Sequence, residues 1–199
     1  YYLLALQRIG KPLTQTVRRL LMPQMQLLQI ALRPNDVVYT PDHIAKYLVD
    51  FFRPSGRILE PCKGDGAFLK YLPNAEWCEI AEGKDFFQYH DKVDWCFGNP
   101  PYGLFSEWLE HSFSISENSM YLIPLYKVYY DFGRLKKIHQ YGGIKSICVL
   151  GRGEVANFPF GQAVAGVHFK KGYRGATSFS IAETRLTKRA ADGGQSPKI

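Results

Sequence analysis

From residue 57 onwards, short apolar runs alternate with segments of helical periodicity. The runs predict strands at 57–60, 76–80, 94–97, 119–125, 144–150 and 163–170, and the segments between them predict helices near 67–72, 104–113 and 134–141. Alternation at this spacing favours an α/β fold, in which helices cover both faces of a mostly parallel sheet. The last two strands have no clear helix between them, which predicts an antiparallel hairpin at one edge of the sheet.

The chain divides into three parts around this alternation. Residues 1–36 have apolar side chains at helical spacing, interrupted by Pro23, and predict an N-terminal helical extension. Residues 37–175 contain the alternating elements and form the main domain. We expect this domain to open with a helix whose N-cap is Thr40 and whose first helical residue is Pro41. Residues 176–199 form a basic tail that we expect to be partly disordered.

Charge is distributed unevenly along the sequence. Residues 1–36 carry a net charge of +4, residues 37–133 of −6, and residues 134–199 of +9. An acidic body between basic segments indicates a polyanionic partner that the ends of the chain contact. For the three tail charges Lys188, Arg189 and Lys198, a solvated chain end is the simpler interpretation.

Cysteine usage and hydropathy exclude several classes of protein. The four cysteines lie far apart without the spacing of zinc ligands, and the five histidines add no ligand set, so no metal is expected. Buried, reduced thiols indicate an intracellular protein, cytoplasmic in a bacterium or phage, with a nuclear location left open. The longest apolar stretch is far shorter than the roughly 18 residues of a membrane span, so no membrane partner is expected.

A glycine-containing turn follows the first predicted strand, with the sequence Glu60, Pro61, Cys62, Lys63, Gly64, Asp65, Gly66, Ala67 and Phe68. Its two glycines allow a tight turn and a close approach of the backbone to a ligand. The carboxylates of Glu60 and Asp65 would repel a phosphate, but they suit a ligand that carries an ammonium and a sulfonium group. Glu79 is placed to bind ribose hydroxyls. Asp85 and Phe86 are placed to hold an adenine by a polar contact and by stacking.

The tetrapeptide Asn99-Pro100-Pro101-Tyr102 directly follows a predicted strand, so it lies at the carboxyl end of the sheet, where ligands bind in open α/β folds. Its prolines make the backbone rigid and remove amide donors. An aromatic amino group is a poor nucleophile because its lone pair is delocalised into the ring. The side-chain oxygen of Asn99 and the carbonyl of Pro100 can each accept one of its N–H groups, which favours the pyramidal geometry for direct attack on a methyl sulfonium. Tyr102 is placed to stack on a flipped base.

These motifs resemble those of the amino-group DNA methyltransferases of the Rossmann-like, S-adenosylmethionine-dependent superfamily, specifically the N6-adenine type. The likeness covers residues 38–170 and includes Tyr39-Thr40-Pro41, which matches the family's upstream cofactor motif. It implies S-adenosylmethionine as cofactor, DNA as substrate, a catalytic domain over 37–175 and a seven-stranded sheet into which the last hairpin is inserted. Lys63 departs from the family, which usually has a small residue at that place in the cofactor turn.

The resemblance also implies how the target base is held. Phe158, Phe160 and Gln162 occupy the place of the family's loop that helps to hold the extruded base. We expect no separate target-recognition domain after the last predicted strand of this sequence. Recognition of the target sequence would then come from the N-terminal helices, the loops, a missing segment, a partner subunit or a second copy of the chain. A restriction-modification system is one setting for such an enzyme.

Four other interpretations can be compared with this one. An RNA N6-adenine methyltransferase, including one that acts on ribosomal RNA, stays open because the sequence barely separates DNA from RNA. A protein glutamine methyltransferase shares the tetrapeptide, although the basic ends favour nucleic acid. A non-catalytic nucleic-acid-binding or partner subunit also stays open, although intact Asn99, Tyr102 and Asp65 favour an enzyme. A C5-cytosine methyltransferase needs its Pro-Cys nucleophile in the catalytic loop, whereas Pro61-Cys62 lies in the cofactor turn.

Overall fold

The computed structural model of this chain describes residues 38–152 and 162–182. The predicted N-terminal extension, the predicted base-holding residues Phe158 and Phe160, and most of the predicted basic tail lie outside these ranges. Among the helices that the structure describes, none has the length and apolar character needed to cross a membrane.

The described residues form four α-helices and seven β-strands. The helices are α1 (Asp42–Phe52), α2 (Phe105–Ile115), α3 (Tyr126–Tyr129) and α4 (Phe132–Tyr141). The strands are β1 (Ile58–Glu60), β2 (Glu76–Trp77), β3 (Val93–Gly98), β4 (Ser116–Pro124), β5 (Gly142–Arg152), β6 (Ala163–Lys171) and β7 (Ser178–Ile181). Short 3₁₀ helices lie at Ile80–Glu82, Phe86–Gln88 and Tyr102–Leu104.

All seven strands belong to one sheet with the order β2-β1-β3-β4-β6-β5-β7. Only β6 runs antiparallel to its neighbours β4 and β5, which confirms the mostly parallel sheet and the hairpin of β5 and β6. The hairpin does not itself form the edge, because β7 pairs in parallel with β5. The sheet therefore continues to Ile181, beyond the expected domain end at 175. Four residues that alternate polar and apolar side chains are too short a signal to identify an edge strand from sequence.

Helices cover both faces of the sheet, as the alternation predicted. One face packs α1 against a core that includes Phe97 and Leu122, and the other packs α2 and α4 against a core that includes Tyr121 and Val167. Neighbouring residues of β4 enter opposite cores, since successive side chains of a strand point to opposite faces. Cys78, Cys96 and Cys148 are buried free thiols, which confirms the interpretation of the cysteines as small core residues.

A glycine in β6 allows α1 to lie close to the sheet. A Cβ atom at Gly166 would come within 2.7 Å of the Leu48 side chain and 2.8 Å of the Phe52 ring. Distances this short are not tolerated between carbon atoms, so a larger residue would push α1 outward. The position of α1 matters for the site, because the residues just before this helix reach the carboxyl end of β3.

The start of α1 differs from the prediction by one residue. Pro41 is the N-cap, with an extended ψ of 139°, and its carbonyl accepts hydrogen bonds from Ile44 and Ala45. The prediction that Thr40 caps the helix is therefore wrong. The Thr40 hydroxyl instead lies 3.2 Å from the Asn99 side-chain nitrogen, so this residue contributes to the site rather than to the helix end.

The predicted helix at 67–72 is also wrong, since this segment forms hydrogen-bonded turns. The amides of Tyr71 and Leu72 both donate to the Phe68 carbonyl, but the pattern does not extend further. Six residues between a glycine and Pro73 are too few to sustain a helix, and the residue before a proline disfavours helical geometry. Likewise, only Glu76–Trp77 of the predicted strand at 76–80 forms a strand of the sheet, and Glu79 instead forms an isolated bridge with Lys84.

Candidate active site

The sheet has a topological switch at β1. Chain order places β2 on one side of β1 and β3 on the other, so the connections leave the sheet in opposite directions. In open α/β sheets this arrangement opens a crevice at the carboxyl ends of the two diverging strands, where ligands bind. A cavity of about 810 Å³ lies at this place, bounded by the segments that follow β1, β2 and β3 and by the segment before α1.

Most residues that the sequence singled out as site residues line this one cavity. They are Tyr39, Thr40, Glu60, Pro61, Cys62, Gly64, Asp65, Phe68, Glu79, Asp85, Phe86, Asn99, Pro100, Pro101 and Tyr102. Two others do not line it. Pro41 caps α1, and Gly66 has a φ of 82°, the left-handed conformation that lets the turn close.

Gln162 is the one predicted base-holding residue that the structure describes. It is exposed and directly precedes β6. The Leu125 amide donates to the Ala163 carbonyl over 2.8 Å, so Gln162 lies near the carboxyl end of β4. It does not line the cavity itself.

The Asn99 side chain is held in one orientation. Its nitrogen donates to the Val38 carbonyl over 2.8 Å and to the Thr40 hydroxyl over 3.2 Å. The Val38 carbonyl can only accept, so this contact identifies the amide nitrogen and leaves the oxygen on the other side of the group. That oxygen, Oδ1, is shielded from solvent and has no hydrogen-bond partner among the described residues. A buried acceptor without a partner costs about 1–3 kcal/mol, so it marks a position where a ligand donor is expected.

Glu60 ends β1 and is 1% exposed. Its Oε2 atom has no partner among the described residues. The pKa of this carboxyl is raised to about 9, mainly by burial and also by the negative charges of Asp65 and Glu79, against the opposing influence of Lys63. At neutral pH the side chain therefore holds a proton, and a cation brought next to it would favour the ionised form.

The glycine turn is fixed by Glu79. One carboxylate oxygen accepts the Gly64 amide over 2.8 Å and the other accepts the Ala81 amide over 3.1 Å. Gly64 has a φ of 55°, and a Cβ atom there would lie 3.5 Å from the Tyr39 ring. Glu79 thus holds the glycine turn with one bond and caps the 3₁₀ helix Ile80–Glu82 with the other. Its oxygens still have acceptor capacity for hydroxyl groups of a ligand.

Lys63 also lines the cavity, and it is accommodated there because its charge is paired. Its ammonium group pairs with Glu82 and lies 4.1 Å from the centre of the Trp77 ring. Lys84 approaches the same ring at 3.4 Å. The ion pair offsets the positive charge that a lysine would otherwise add beside a cation-binding turn.

Asp85 and Phe86 lie at the next turn. The Asp85 carboxylate accepts the Phe87 amide over 3.0 Å and starts the short 3₁₀ helix. Phe86 is buried, with its ring centre 4.6 Å from that of Trp108. The rings of Phe86 and Trp108 form one wall of the cavity. A flat group of a ligand can stack on the ring surface that faces the cavity.

Trp108 was not identified from the sequence. It lines the cavity from α2, and its indole nitrogen is buried without a partner among the described residues. On the helix it falls in an apolar stripe with Phe105 and Leu109, and such a stripe indicates core packing. Nothing in a sequence distinguishes a core tryptophan from one whose N–H faces a cavity.

Tyr102 and Cys62 complete the wall. Tyr102 is 7% exposed and packs with the core beneath α2, so its remaining surface faces the cavity. Burial raises the pKa of the Cys62 thiol to about 12, and the charges of Glu79 and Glu60 act in the same direction. A thiol held protonated in this way is a poor nucleophile, in agreement with the argument against a C5-cytosine enzyme.

Solved structures share this fold at low sequence identity. A Vibrio vulnificus protein assigned as a modification subunit of a type I restriction enzyme aligns with a TM-score of 0.52 and 14% identity, over 92% of this chain and 59% of that one. A Listeria monocytogenes protein assigned as a class I S-adenosylmethionine-dependent methyltransferase aligns with a TM-score of 0.53 and 12% identity, over 84% and 75%. A DrdV–DNA complex aligns with a TM-score of 0.57 and 11% identity, over 82% and 30%.

No family model matches the sequence, and no curated protein matches it. The chain spans 59% of the length of the Vibrio subunit and 30% of the DrdV chain. At identities of 11–14% the likeness concerns the fold, and that likeness agrees with the seven-stranded sheet and its antiparallel insertion. This chain has the Rossmann-like fold found in S-adenosylmethionine-dependent methyltransferases.

Proposed function

We propose that this chain transfers a methyl group from S-adenosylmethionine to the N6 amino group of adenine in DNA. The observation that carries the proposal is the buried, unpartnered Oδ1 atom of Asn99 at the carboxyl end of β3. Its orientation is set by two hydrogen bonds on the nitrogen side of the same amide. An acceptor fixed in this way is suited to receive an N–H group of a substrate.

The other end of the cavity suits the cofactor. S-adenosylmethionine supplies an electrophilic methyl group on a positively charged sulfur when it is bound. Glu60 and Asp65 lie at the glycine turn, where carboxyl groups favour an ammonium or a sulfonium over a phosphate. Glu79 has acceptor capacity for ribose hydroxyls, and the wall of Asp85 and Phe86 offers a polar contact and an aromatic surface to an adenine.

The tetrapeptide would act on the target amino group. The Asn99 oxygen and the Pro100 carbonyl each accept one N–H, which draws the nitrogen towards pyramidal geometry and directs its lone pair at the methyl group. Tyr102 provides an aromatic surface for the base. No strong base is required, because the proton leaves after the nitrogen has gained the methyl group.

Adenine in DNA is favoured over other substrates by two observations. The chain order of the motifs matches the N6-adenine type, and the ends of the chain are basic. The similar structures include a protein named as a restriction-enzyme modification subunit and a complex with DNA. Since this chain spans only part of those proteins, we propose that a partner subunit or a second copy contributes to target recognition.

The test is methyl transfer from labelled cofactor to double-stranded DNA, single-stranded DNA, RNA and protein in parallel. The modified nucleoside or amino acid is then identified by mass spectrometry. We expect N6-methyladenine in DNA. Label in adenine of RNA or in glutamine of protein would instead assign one of these two substrates, whose target nitrogens are also planar. Absence of cofactor binding, measured by calorimetry, would contradict the proposal altogether.

A further inference from the structure

A cluster of exposed aromatic rings follows β4. Tyr126, Tyr129, Tyr130 and Phe132 are 45%, 50%, 86% and 71% exposed. Single exposed apolar residues are common on proteins, but four rings within seven residues form a contiguous patch of the kind that marks an interaction site. We call these four residues, with Lys127 and Lys136, the aromatic surface.

Two cations accompany the rings. The Lys127 ammonium lies 5.7 Å from the centre of the Tyr126 ring, and the Lys136 ammonium lies 4.9 Å from that of Phe132. Neither lysine forms an ion pair within residues 38–152 and 162–182. Asp131 lines the same groove, and its carboxylate accepts the Gly133 amide and caps α4. The aromatic surface is therefore net positive and suits an anionic partner.

Three of the rings, those of Tyr126, Tyr130 and Phe132, border a groove of about 480 Å³, and contacts of Arg134 connect this groove to α2. Arg134 lines this groove, donates to the Ser106 hydroxyl over 2.7 and 3.1 Å and to the Lys127 carbonyl, and lies 5.3 Å from the centre of the Phe105 ring. Arg134 thus anchors the segment rather than serving as a free charge. Because α2 begins directly after Tyr102–Leu104, the aromatic surface is fixed to the element that follows the tetrapeptide.

The topology brings the aromatic surface to the same edge of the sheet as Asn99. Strands β3 and β4 are parallel neighbours, with Gly98 opposite Tyr121, so both end at one edge. Asn99 directly follows β3, and Tyr126 follows the end of β4 by one residue. A polymer with one base in the cavity would have its neighbouring nucleotides within reach of this edge.

We propose that the aromatic surface binds unpaired bases of a nucleic-acid strand by stacking, while Lys127 and Lys136 contact its phosphates. The choice of a nucleic acid rests on the proposed function. Aromatic rings accept the face of any base, and a strand that has lost one base from its stack exposes the neighbouring faces. A protein partner would also bury the rings, but two lysines without ion pairs favour a polyanion.

The test measures binding of a fluorescent dT 12-mer, a 12-mer of single-stranded RNA and a 12-base-pair duplex to the full chain. Tyr130→Ala/Phe132→Ala is expected to weaken binding of the single strands by about tenfold for each ring removed, and to weaken duplex binding much less. Lys127→Ala/Lys136→Ala is expected to reduce the slope of log affinity against log salt by about 1.4, the value for two phosphate contacts on a single strand. The DNA and RNA arms distinguish the two sources of unpaired bases.

Two variants serve as controls. Tyr130→Phe/Phe132→Tyr retains both rings and is expected to bind like the wild type. Phe179→Ala removes a ring that is 61% exposed on β7 and is expected to change nothing. Unchanged single-strand binding in Tyr130→Ala/Phe132→Ala would overturn the inference and assign the rings to another partner, such as a protein. An equal loss on duplex would also overturn it, because paired bases do not offer their faces.

These measurements distinguish a failure of this inference from a failure of the proposed function. Ring-dependent strand binding without any methyl transfer would support the aromatic surface and contradict the methyltransferase proposal. If Tyr130→Ala/Phe132→Ala methylated nucleic acid with the wild-type KM for the single strand, the inference about the aromatic surface would be wrong. The proposed function would stand. Calorimetric binding of S-adenosylmethionine is expected to be the same in this variant as in the wild type.

Discussion

Buried polar groups are treated in opposite ways in two regions of this molecule. Between α2 and β4, the hydroxyl of Ser112 pairs with that of Tyr121 over 2.6 Å, and Ser116 pairs with Ser119 over 2.9 Å. Around the cavity, the Glu60 Oε2, Asn99 Oδ1 and Trp108 Nε1 atoms are equally shielded but have no partner among the described residues. Each unpaired group costs about 1–3 kcal/mol, so the cavity is destabilising where the α2–β4 interface is not.

The unpaired groups indicate which part of the fold is expected to bind a ligand. Folding alone selects against unpaired buried groups, and the paired hydroxyls near α2 show that this chain can satisfy such groups elsewhere. Three such atoms belong to residues that line one cavity, which favours partners that arrive with a ligand. Substitutions in the two regions should therefore have opposite effects on activity and stability.

The largest expected effect is that of Asn99→Ala on catalysis. Loss of the oriented acceptor should lower kcat for methyl transfer by about a hundred- to a thousandfold or more, comparable with the loss of a preorganised hydrogen bond in other active sites. The free energy of unfolding should change by less than about 1 kcal/mol, because an unpaired buried oxygen disappears together with two donated bonds. Methyl-transfer kinetics and urea unfolding measure the two quantities.

Asn118→Ala is the matched control. Asn118 is a paired asparagine whose nitrogen donates to the Asp94 carbonyl over 3.1 Å and whose oxygen lies 3.0 Å from the His168 ring nitrogen. Its loss should cost about 1–3 kcal/mol of stability and leave kcat unchanged. If Asn99→Ala retained activity or resembled Asn118→Ala, the assigned role of Asn99 would be wrong.

Glu60→Gln should change how stability depends on pH. The folded-state pKa of Glu60, about 9, lies above the usual value of 4.5, so the stability that this group contributes is fully present below pH 4.5 and is lost as the pH rises towards 9. The wild type should lose about 3 kcal/mol between pH 4.5 and pH 7 from this group, and Glu60→Gln should not. Urea unfolding at several pH values without cofactor tests this expectation.

Glu76→Gln provides the contrast for Glu60. Hydrogen bonds from Arg57 and Tyr89 lower the pKa of Glu76 despite some desolvation, so its contribution is present above the usual carboxyl pKa and is lost only as the pH falls below it. Its replacement should leave the slope between pH 4.5 and 9 unchanged. An identical slope in wild type and Glu60→Gln would show that Glu60 is not buried as a neutral acid.

Tyr121→Phe should weaken the paired region. The substitution removes a hydroxyl that is fully buried against Ser112, so we expect a loss of about 1–2 kcal/mol in unfolding free energy and no change in kcat. Tyr173→Phe removes a hydroxyl bond at an exposed position and should cost less than about 0.5 kcal/mol. Equal stability of the two variants would remove the contrast between the regions.

The smallest effect is expected for Thr40→Val, a change in a positioning residue. The Asn99 nitrogen would lose its 3.2 Å contact but retain the Val38 carbonyl, so kcat should fall about fivefold while KM for the cofactor stays within twofold. Thr177→Val, whose hydroxyl donates to the Ile144 carbonyl in another part of the sheet, should leave kcat unchanged. A change in KM alone would indicate that Thr40 binds the cofactor rather than orienting Asn99.

Much of the fold could be predicted because its signals are local. The strands around Cys96 and Ser119 and the helix that contains Trp108 follow from apolar periodicity alone. The predictions of a helix at 67–72 and of an N-cap at Thr40 were wrong, because neighbouring contacts compete with the helix propensity of these residues. A nearby proline and the packing of Phe68 decided the first, and a hydrogen bond to Asn99 decided the second.

The functional groups that are available follow from the sequence: an asparagine and two prolines at the end of one strand and an acidic glycine turn at the end of another. Residue types and their spacing carry that information, because the carboxyl ends of parallel strands meet at one edge of a sheet. Which buried atoms remain without partners depends on the folded structure. The pairing of Asn99 with residues 59 and 61 positions earlier, the burial of Glu60 and the free N–H of Trp108 depend on distances across the fold. Hydrogen bonding and desolvation act over a few ångströms in space, and sequence separation does not encode such distances.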